Sequence, residues 1–437
     1  MEMVHQKRDN LFSTKEIVAF AIISVLMLFS MYSPYVHSVA IAFQILSVFW
    51  GYVLCKNSSL GICLILLLNV TREYISVSTS TKFEAYYALN SSTLLILIVG
   101  LSIVRLYENN WRITIPLSNM LLLVWGLQLS LSQVWVENQN EYTSYFPVVC
   151  LLYLTGFTIV DKKAKPTVMF SYMLSGLFMG IGIIPYYLGH GALSELTVII
   201  NGNGLLVDRN YQSLFLMMCI LNSVIFLKHY WNRVGIIIRI LALLAIIGDL
   251  FIIIVGASRS AIIGLFLSVI VYILANADAV GKNVKVVLIT ILLVTVAYNL
   301  GLLEPILDRF MEGDVSSGNG RLDLWIQYLD EYEKGNIIQK LFGRGLIGES
   351  IIGQPAHNLF VSTFFSFGIV GIISFLLFCF TIIVDAFRFD RDELVILLPL
   401  LFMCCTLEPY YRIEFAVYVS CLPVMLDNAR AERESNG

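Results

Sequence analysis

The stretch Gly235–Ala261, GIIIRILALLAIIGDLFIIIVGASRSA, decides the fold class and marks where function sits. Its first part is an apolar run interrupted by Arg239 near one end and by Asp249 deep inside. Its last residues turn abruptly polar, Gly256-Ala257-Ser258-Arg259-Ser260-Ala261. A helix rises about 1.5 Å per residue and a bilayer core is about 30 Å thick, so about 20 mostly apolar residues suffice to cross it. The run from 235 to 256 meets that length.

The rest of the chain follows the same pattern. Hydrophobic residues make up 58% of the 437, charged residues 14%, and the mean hydropathy is +0.80. A soluble domain carries about 25% charged residues, so the composition indicates an integral membrane protein. About fourteen candidate spans follow, near 17–33, 36–54, 59–75, 86–106, 115–136, 145–160, 167–188, 210–228, 235–256, 259–276, 284–303, 357–384, 394–409 and 412–428. The purely apolar stretch of the third, around Leu60–Val70, is short, and Arg72 and Glu73 follow it at once. The expected fold is all-α: one polytopic membrane domain over 1–437, with one long extracytoplasmic loop, 304–356, containing short helices.

Charge gives an orientation. With the N-terminus inside, eighteen of the 28 Lys and Arg residues fall on the cytoplasmic side, and five of the other ten lie in the long loop. Short external loops such as Tyr32–Val36 and Glu137–Tyr145 are nearly free of positive charge, as expected when Lys and Arg crowd the cytoplasmic face. Removing the third span would scramble this alternation. Both termini are therefore expected in the cytoplasm and the long loop outside. The first apolar segment lacks an Ala-x-Ala ending and reads as an anchor rather than a cleaved signal. The net charge of −3 says little about partners, and no nucleic-acid partner is expected. Eight cysteines lie in or beside spans without Cys-x-x-Cys spacing, which reads as apolar filler, with neither a metal site nor a disulfide scaffold.

Four polar clusters fall on the external side. Val207-Asp208-Arg209-Asn210-Tyr211 opens the eighth span, where Asp208 or Asn210 can cap a helix or bind a ligand. In Gly256–Ala261, Ser258 can cap the next helix. Arg259 at a helix N-terminus opposes the macrodipole unless it snorkels, is ion-paired, or shares an anion with the exposed N–H groups, Ser258 and Ser260. Ser316-Ser317-Gly318-Asn319-Gly320-Arg321 precedes Leu322, Trp325, Ile326 and Leu329, which share one helical face. Such a helix suits the membrane surface with Trp325 at headgroup depth. Arg321 at its start is an anion ligand or a solvated surface group. Last come Phe342-Gly343-Arg344-Gly345-Leu346 and Gln354-Pro355-Ala356-His357-Asn358. The Gly-x-Gly lacks the βαβ context of a nucleotide fingerprint. His357 can take a proton from a hydroxyl near neutral pH, whereas its plainer role, like that of Asn358, is to cap the twelfth span.

In order and common side these clusters resemble the bacterial O-antigen polymerase and O-antigen ligase superfamily. The resemblance is carried by Asp208-x-Asn210 at the start of a span, Gly256-x-Ser258-Arg259-Ser260 before the next apolar run, Gly320-Arg321-x-x-x-Trp325 in the long loop, then Gly343-x-Gly345 and His357-Asn358. It covers about Asp208 to Gly371, and departs where Arg209 stands in a position often held by Pro. The resemblance implies a metal-independent, inverting glycosyl transfer at the outer face of the bacterial cytoplasmic (inner) membrane. The donor is an oligosaccharide on polyprenyl diphosphate. The acceptor hydroxyl belongs to another lipid-linked repeat unit in a polymerase of O-antigen or capsule, or to lipopolysaccharide core in a ligase. It implies no cofactor, contact with membrane lipid, and a flippase and a chain-length regulator as partners. Residue by residue, His357 would be the base and Arg259 and Arg321 the diphosphate clamp, with Asp208, Asn210, Ser258, Ser260, Arg344 and Asn358 as substrate ligands. A transporter of lipid-linked oligosaccharide stays open as a different class, because Asp249 is an acidic residue deep in a span and such residues often mark proton or substrate paths. The absence of detectable paired halves argues against it.

Overall fold

The computed structural model describes residues 11–32, 42–43, 45–46, 48–49, 57–78, 83–112, 115–132, 146–161, 164–190, 209–277, 279–312, 320–346 and 348–436. Of these residues 86% are helical and none lies in a strand. The apolar runs become α1 (Thr14–Tyr32), α2 (Leu60–Ser78), α3 (Phe83–Glu108), α4 (Leu117–Ser132), α5 (Phe146–Ile159), α6 (Ala164–His190), α7 (Arg209–Tyr230), α8 (Ile236–Val255), α9 (Arg259–Ala275) and α10 (Val280–Asn299). The long loop folds into α11 (Glu304–Glu312), α12 (Arg321–Glu333), α13 (Ile337–Phe342) and α14 (Gly348–Ile352). The chain ends with α15 (Leu359–Phe389), α16 (Leu394–Cys404) and α17 (Ile413–Asn436). The second expected span, 36–54, lies mostly outside the described residues, with helical turns inside 42–49.

Among the described residues, four helices are long and apolar enough to cross a membrane: residues 164–184 of α6, 210–233 including α7, all of α8, and α15. Shorter apolar helical stretches run over 60–70, 117–131, 146–159, 259–275 and 283–299. The third expected span is deeply set. Residues 57–70 are buried on every side, and α2 packs against α1, α3, α6 and α17. A helix that is apolar all round belongs in the interior, which explains why its flanks rather than its core carry the ambiguity. α8 is the opposite case. Ile236, Ile237, Ile240, Leu243, Leu244 and Ile247 expose large apolar side chains along one face, while Ala242, Ala245, Asp249 and Ile252 turn inward.

The loop helices are docked rather than splayed. α12 buries Leu324, Tyr328 and Tyr332 against Ala356 and Phe365. The Tyr328 hydroxyl donates to the Gln354 carbonyl at 2.8 Å, and the Tyr332 hydroxyl to the Lys340 carbonyl at 2.6 Å. α13 starts with a capping box between Asn336 and Gln339, which satisfies two N–H groups reciprocally. It leads into Gly343-Arg344-Gly345, which lies along a break in α15. The break falls at Gly368, where φ is 67° and ψ is -164°. An interrupted helix leaves carbonyls that need new donors. The N–H groups of Arg344 and Gly345 supply them, to Phe365 and Ser366 at 3.0 Å each. Gly343, with φ 87°, has to be glycine, since a Cβ there would overlap the Ser366 carbonyl and the backbone is left-handed.

Polar contacts gather at the two ends of the helices. Where α7 and α15 finish, Lys228 binds Asp392 at 2.6 Å, His229 meets the other Asp392 oxygen at 2.8 Å, and Lys165 binds Asp390 and Glu393. Where α7, α9 and α15 begin, a second cluster forms.

Candidate functional site

The second cluster is built from helix starts and one turn. Ser258 holds the N-cap position of α9 but makes no side-chain cap bond. Its hydroxyl instead donates across to the side-chain carbonyl oxygen of Asn210 in α7 at 3.3 Å. Two clusters separated in the chain therefore meet, and the capping role expected of Ser258 is not used. Arg259 and Ser260, the first two residues of α9, follow directly and are half-buried. Ala257 before them has φ 49°, a left-handed turn that tightens the approach between α8 and α9.

Beside Asn210, the Tyr211 hydroxyl accepts the backbone N–H of Glu408 at 3.2 Å. Glu408 lies in the turn between α16, which ends at Cys404, and α17. Its own carboxylate accepts the backbone N–H of His357 at 2.6 Å. His357 stands just ahead of α15 with φ 52°, in the left-handed region, which histidine enters more readily than most side chains but still at a cost. On one side of it, the Ala356 carbonyl accepts the Trp325 indole N–H at 2.8 Å. On the other, the Asn358 side chain accepts the Phe360 N–H at 2.9 Å and the Val361 N–H at 3.2 Å. Asn358 therefore caps α15. Arg321 opens α12 one turn before Trp325, on the same helical side as that residue.

Contacts thus run from Ser258 through Asn210, Tyr211, Glu408 and His357 to Trp325, joining α9, α7, the 405–412 turn, the start of α15 and α12. His357, Asn210 and Ser258 are brought into one network. Arg259 and Arg321 flank it on its two outer helices. Asp208 lies outside the described residues, as do Ser316 to Asn319. Arg344 is engaged within the loop: it donates to the Glu331 carbonyl at 2.6 Å, meets the Glu331 carboxylate at 3.4 Å and lies over the Phe365 ring. Its Nε is buried and, among the described residues, has no hydrogen-bond partner. Trp325 is tied by its N–H to the backbone before His357. The exposed apolar face of α12 is made by Leu322, Ile326 and Leu329.

Sequence reasoning missed the Glu408-Pro409-Tyr410-Tyr411-Arg412 turn. Hydropathy absorbed Glu408 into the span 394–409, though a Glu, a Pro and an Arg within five residues between two apolar runs were a usable signal. Glu408 is 5% exposed. Burial pushes its carboxyl up to about 7, against hydrogen bonds from the Ser362 hydroxyl and the His357 and Asn358 backbone, with the like charge of Glu349 adding to the rise. Arg412 is buried, binds Glu414 at 2.7 Å and lies over the Tyr211 ring. The Asn69 amide of α2 donates to the other Glu414 oxygen at 2.8 Å, which anchors the turn to the centre of the bundle.

A shallow, open apolar groove of about 280 Å³ lies beside this network, lined by Leu329 of α12 and by Phe360, Val361, Phe364, Ile372 and Leu376 of α15. Asp249 lies elsewhere, against Gly176 of α6 and Cys219 of α7, fully buried. Among the described residues neither of its carboxylate oxygens has a hydrogen-bond partner. At the far end of the bundle, His229, Asp390 and Asp392 could each offer an atom to one metal ion, but Lys165 and Lys228 already compensate the two carboxylates. No protein-family model matches the chain, and no curated protein matches it.

Proposed function

We propose that the protein is a membrane glycosyltransferase that polymerises a polysaccharide, O-antigen or capsule, from polyprenyl-diphosphate-linked repeat units. The observation that carries this reading is the network joining Ser258, Asn210 and His357 at one end of the helices, with Arg259 and Arg321 at its flanks. Residues scattered over the second half of the chain converge where lipid-soluble helices meet a folded polar loop. A departing diphosphate gathers negative charge as the glycosidic bond breaks. Guanidinium groups at helix starts, beside exposed N–H groups, suit that charge. His357 takes the proton of the attacking hydroxyl, and a single displacement inverts the anomeric centre. Ser258, Ser260, Asn210 and Asp208 bind the sugar or phosphates, and the apolar groove that begins at Phe360 takes the first part of the lipid tail. No step calls for a metal ion or cofactor.

This reading takes the chain as a protein of the bacterial inner membrane, with about fourteen spans, both termini in the cytoplasm and the loop outside. A flippase and a chain-length regulator are its natural partners. A ligase would use the same donor and network with lipopolysaccharide core as acceptor. Asp249, whose carboxylate lacks a partner among the described residues, favours a second class, a transporter of lipid-linked oligosaccharide, since a buried acid in an apolar helix suits a proton path.

Purified wild type and His357→Ala, reconstituted with a native lipid-linked repeat unit, test the reading on a gel of glycan length. A ladder from wild type alone supports a polymerase with His357 as base. Intact substrate, with core lipopolysaccharide becoming glycosylated when added, would make it a ligase. Intact substrate in both cases, with Asp249→Asn abolishing lipid-linked oligosaccharide translocation, would replace transfer by transport.

A further inference from the structure

His357 has a left-handed backbone and belongs to a turn held from three directions. Trp325 of α12 ties the Ala356 carbonyl, Asn358 caps α15, and Glu408 takes the His357 N–H at 2.6 Å. Of these three bonds, the first two hold the neighbours and the third holds His357 itself. We propose that Glu408 is the positioning residue of this site: its carboxylate fixes the His357 backbone and thereby where the imidazole sits relative to the acceptor hydroxyl.

The geometry of Glu408 suits that task. It is the hub between α7, through the Tyr211 hydroxyl on its backbone N–H, and the start of α15, through its carboxylate. An ionised carboxylate accepts several N–H and O–H donors at once, and charge-assisted bonds are about twice as strong as neutral ones. A neutral amide in its place offers one oxygen acceptor and turns two donors towards groups that are themselves donors. The titratable groups facing Glu408 are Glu349 of α14, Tyr328 of α12, Tyr211 of α7, Tyr410 and Tyr411 of its own turn, and His357. The acid Glu349 shares its sign, and the tyrosines stay neutral through the physiological range. Protonation of Glu408 relieves the cost of burying its charge but replaces the charge-assisted hold on the His357 N–H by a weaker neutral bond, so the grip on this turn slackens as pH falls through about 7.

This inference rests on the transferase reading, and kinetics of the full-length reconstituted protein separate the two. Displacing a reacting group by about 1 Å can cost up to about 100-fold, so Glu408→Gln should lower kcat about 10- to 100-fold while KM stays within about 3-fold. Glu408→Asp, which keeps the charge, should recover part of that loss. The acid limb of log kcat against pH should be steeper in wild type than in Glu408→Gln. If Glu408→Gln does not accumulate as folded protein, Tyr211→Phe, which deletes the acceptor of the Glu408 N–H, takes its place with a smaller loss. A ladder from wild type with unchanged kcat and an unchanged acid limb in the variants would overturn this inference alone. No transfer by wild type with either acceptor would overturn the transferase reading and, with it, the role given to Glu408.

Discussion

Replacing Glu408 by Gln should remove a pH-dependent part of the stability of the fold, and the sign can be worked out. The carboxyl titrates at about 7 in the folded chain, against an ordinary 4.5. A raised pKa means that folding favours the protonated form. The stabilisation is therefore full below pH about 4.5 and is lost as pH rises to about 7. One pKa unit is worth about 1.4 kcal/mol, so the difference amounts to about 3 kcal/mol for this almost fully buried group. Glutamine does not titrate. The stability of wild type minus that of Glu408→Gln should fall by about 3 kcal/mol between pH about 4.5 and about 8 and be flat outside that window. Unfolding in mixed micelles at a series of pH values measures it, and the subtraction cancels other titrating groups. A difference constant to within about 1 kcal/mol over that range would refute the argument. A carboxyl that ionises near neutral pH despite this cost is one whose charge is retained for something other than stability.

Further outcomes follow from the same structure. Arg259→Ala and Arg321→Ala should each stop chain growth while leaving folded protein in the membrane; a variant with normal glycan ladders would exclude that arginine from the diphosphate clamp. Gly343→Ala should destabilise by about 1 kcal/mol or more from the left-handed backbone alone, and the overlap with the Ser366 carbonyl adds to that loss. Gly281→Ala, on exposed α10 with nothing within 4 Å of the new methyl, should stabilise by up to about 1 kcal/mol. Equal effects of these two in thermal unfolding would undercut the docking of the Gly-x-Gly loop on α15. Gln327→Cys, exposed on α12, should react with an impermeant thiol reagent in intact spheroplasts of a strain whose version lacks other reactive cysteines; labelling only after lysis would invert the orientation.

Hydropathy made most of the fold legible because each helix buries or exposes enough apolar residues to show as a run. Thirteen of the fourteen expected spans overlap a described helix, of which four are long and apolar enough to cross a membrane. Helix starts made the polar clusters legible too, since Ser, Asn and Arg at the end of an apolar run need a reason. What they do there was not local information. Ser258 looked like a cap and bonds to another helix, whereas Asn358 looked like a ligand or a cap and is a cap. Gly343-Arg344-Gly345 was weak as an anion motif, and its evident role is backbone pairing with a broken helix later in the chain. That pairing needs Gly368, which no window around residue 344 contains. Glu408 was hidden by averaging: one acid at the rim of a strongly apolar stretch barely lowers its hydropathy.

The two ends of the bundle handle buried acids differently, and this contrast bears on which end is functional. For Asp392, burial pushes the carboxyl up, but hydrogen bonds from His229 and Lys228 and their charges outweigh it and hold it below the usual carboxylate range. Glu393 beside it is pushed up by burial but faces the opposing charge of Lys165. Each acid there has a cation, and the pairs tie α6 and α7 to the turn that follows α15, as structural staples do. At the other end Glu408 is equally buried, but the charge that acts on it is the like one of Glu349, and its own bonds go to backbone N–H and hydroxyl groups. Loss of a staple should cost stability with little change in the reaction. Loss of Glu408 should slow transfer, and its effect on stability should vary with pH instead of being a fixed loss. Asp392→Asn, compared with Glu408→Gln in both unfolding and chain growth, should lose stability and keep chain growth, whereas Glu408→Gln should lose chain growth with a stability change that depends on pH; variants that failed alike would remove the distinction between the two ends.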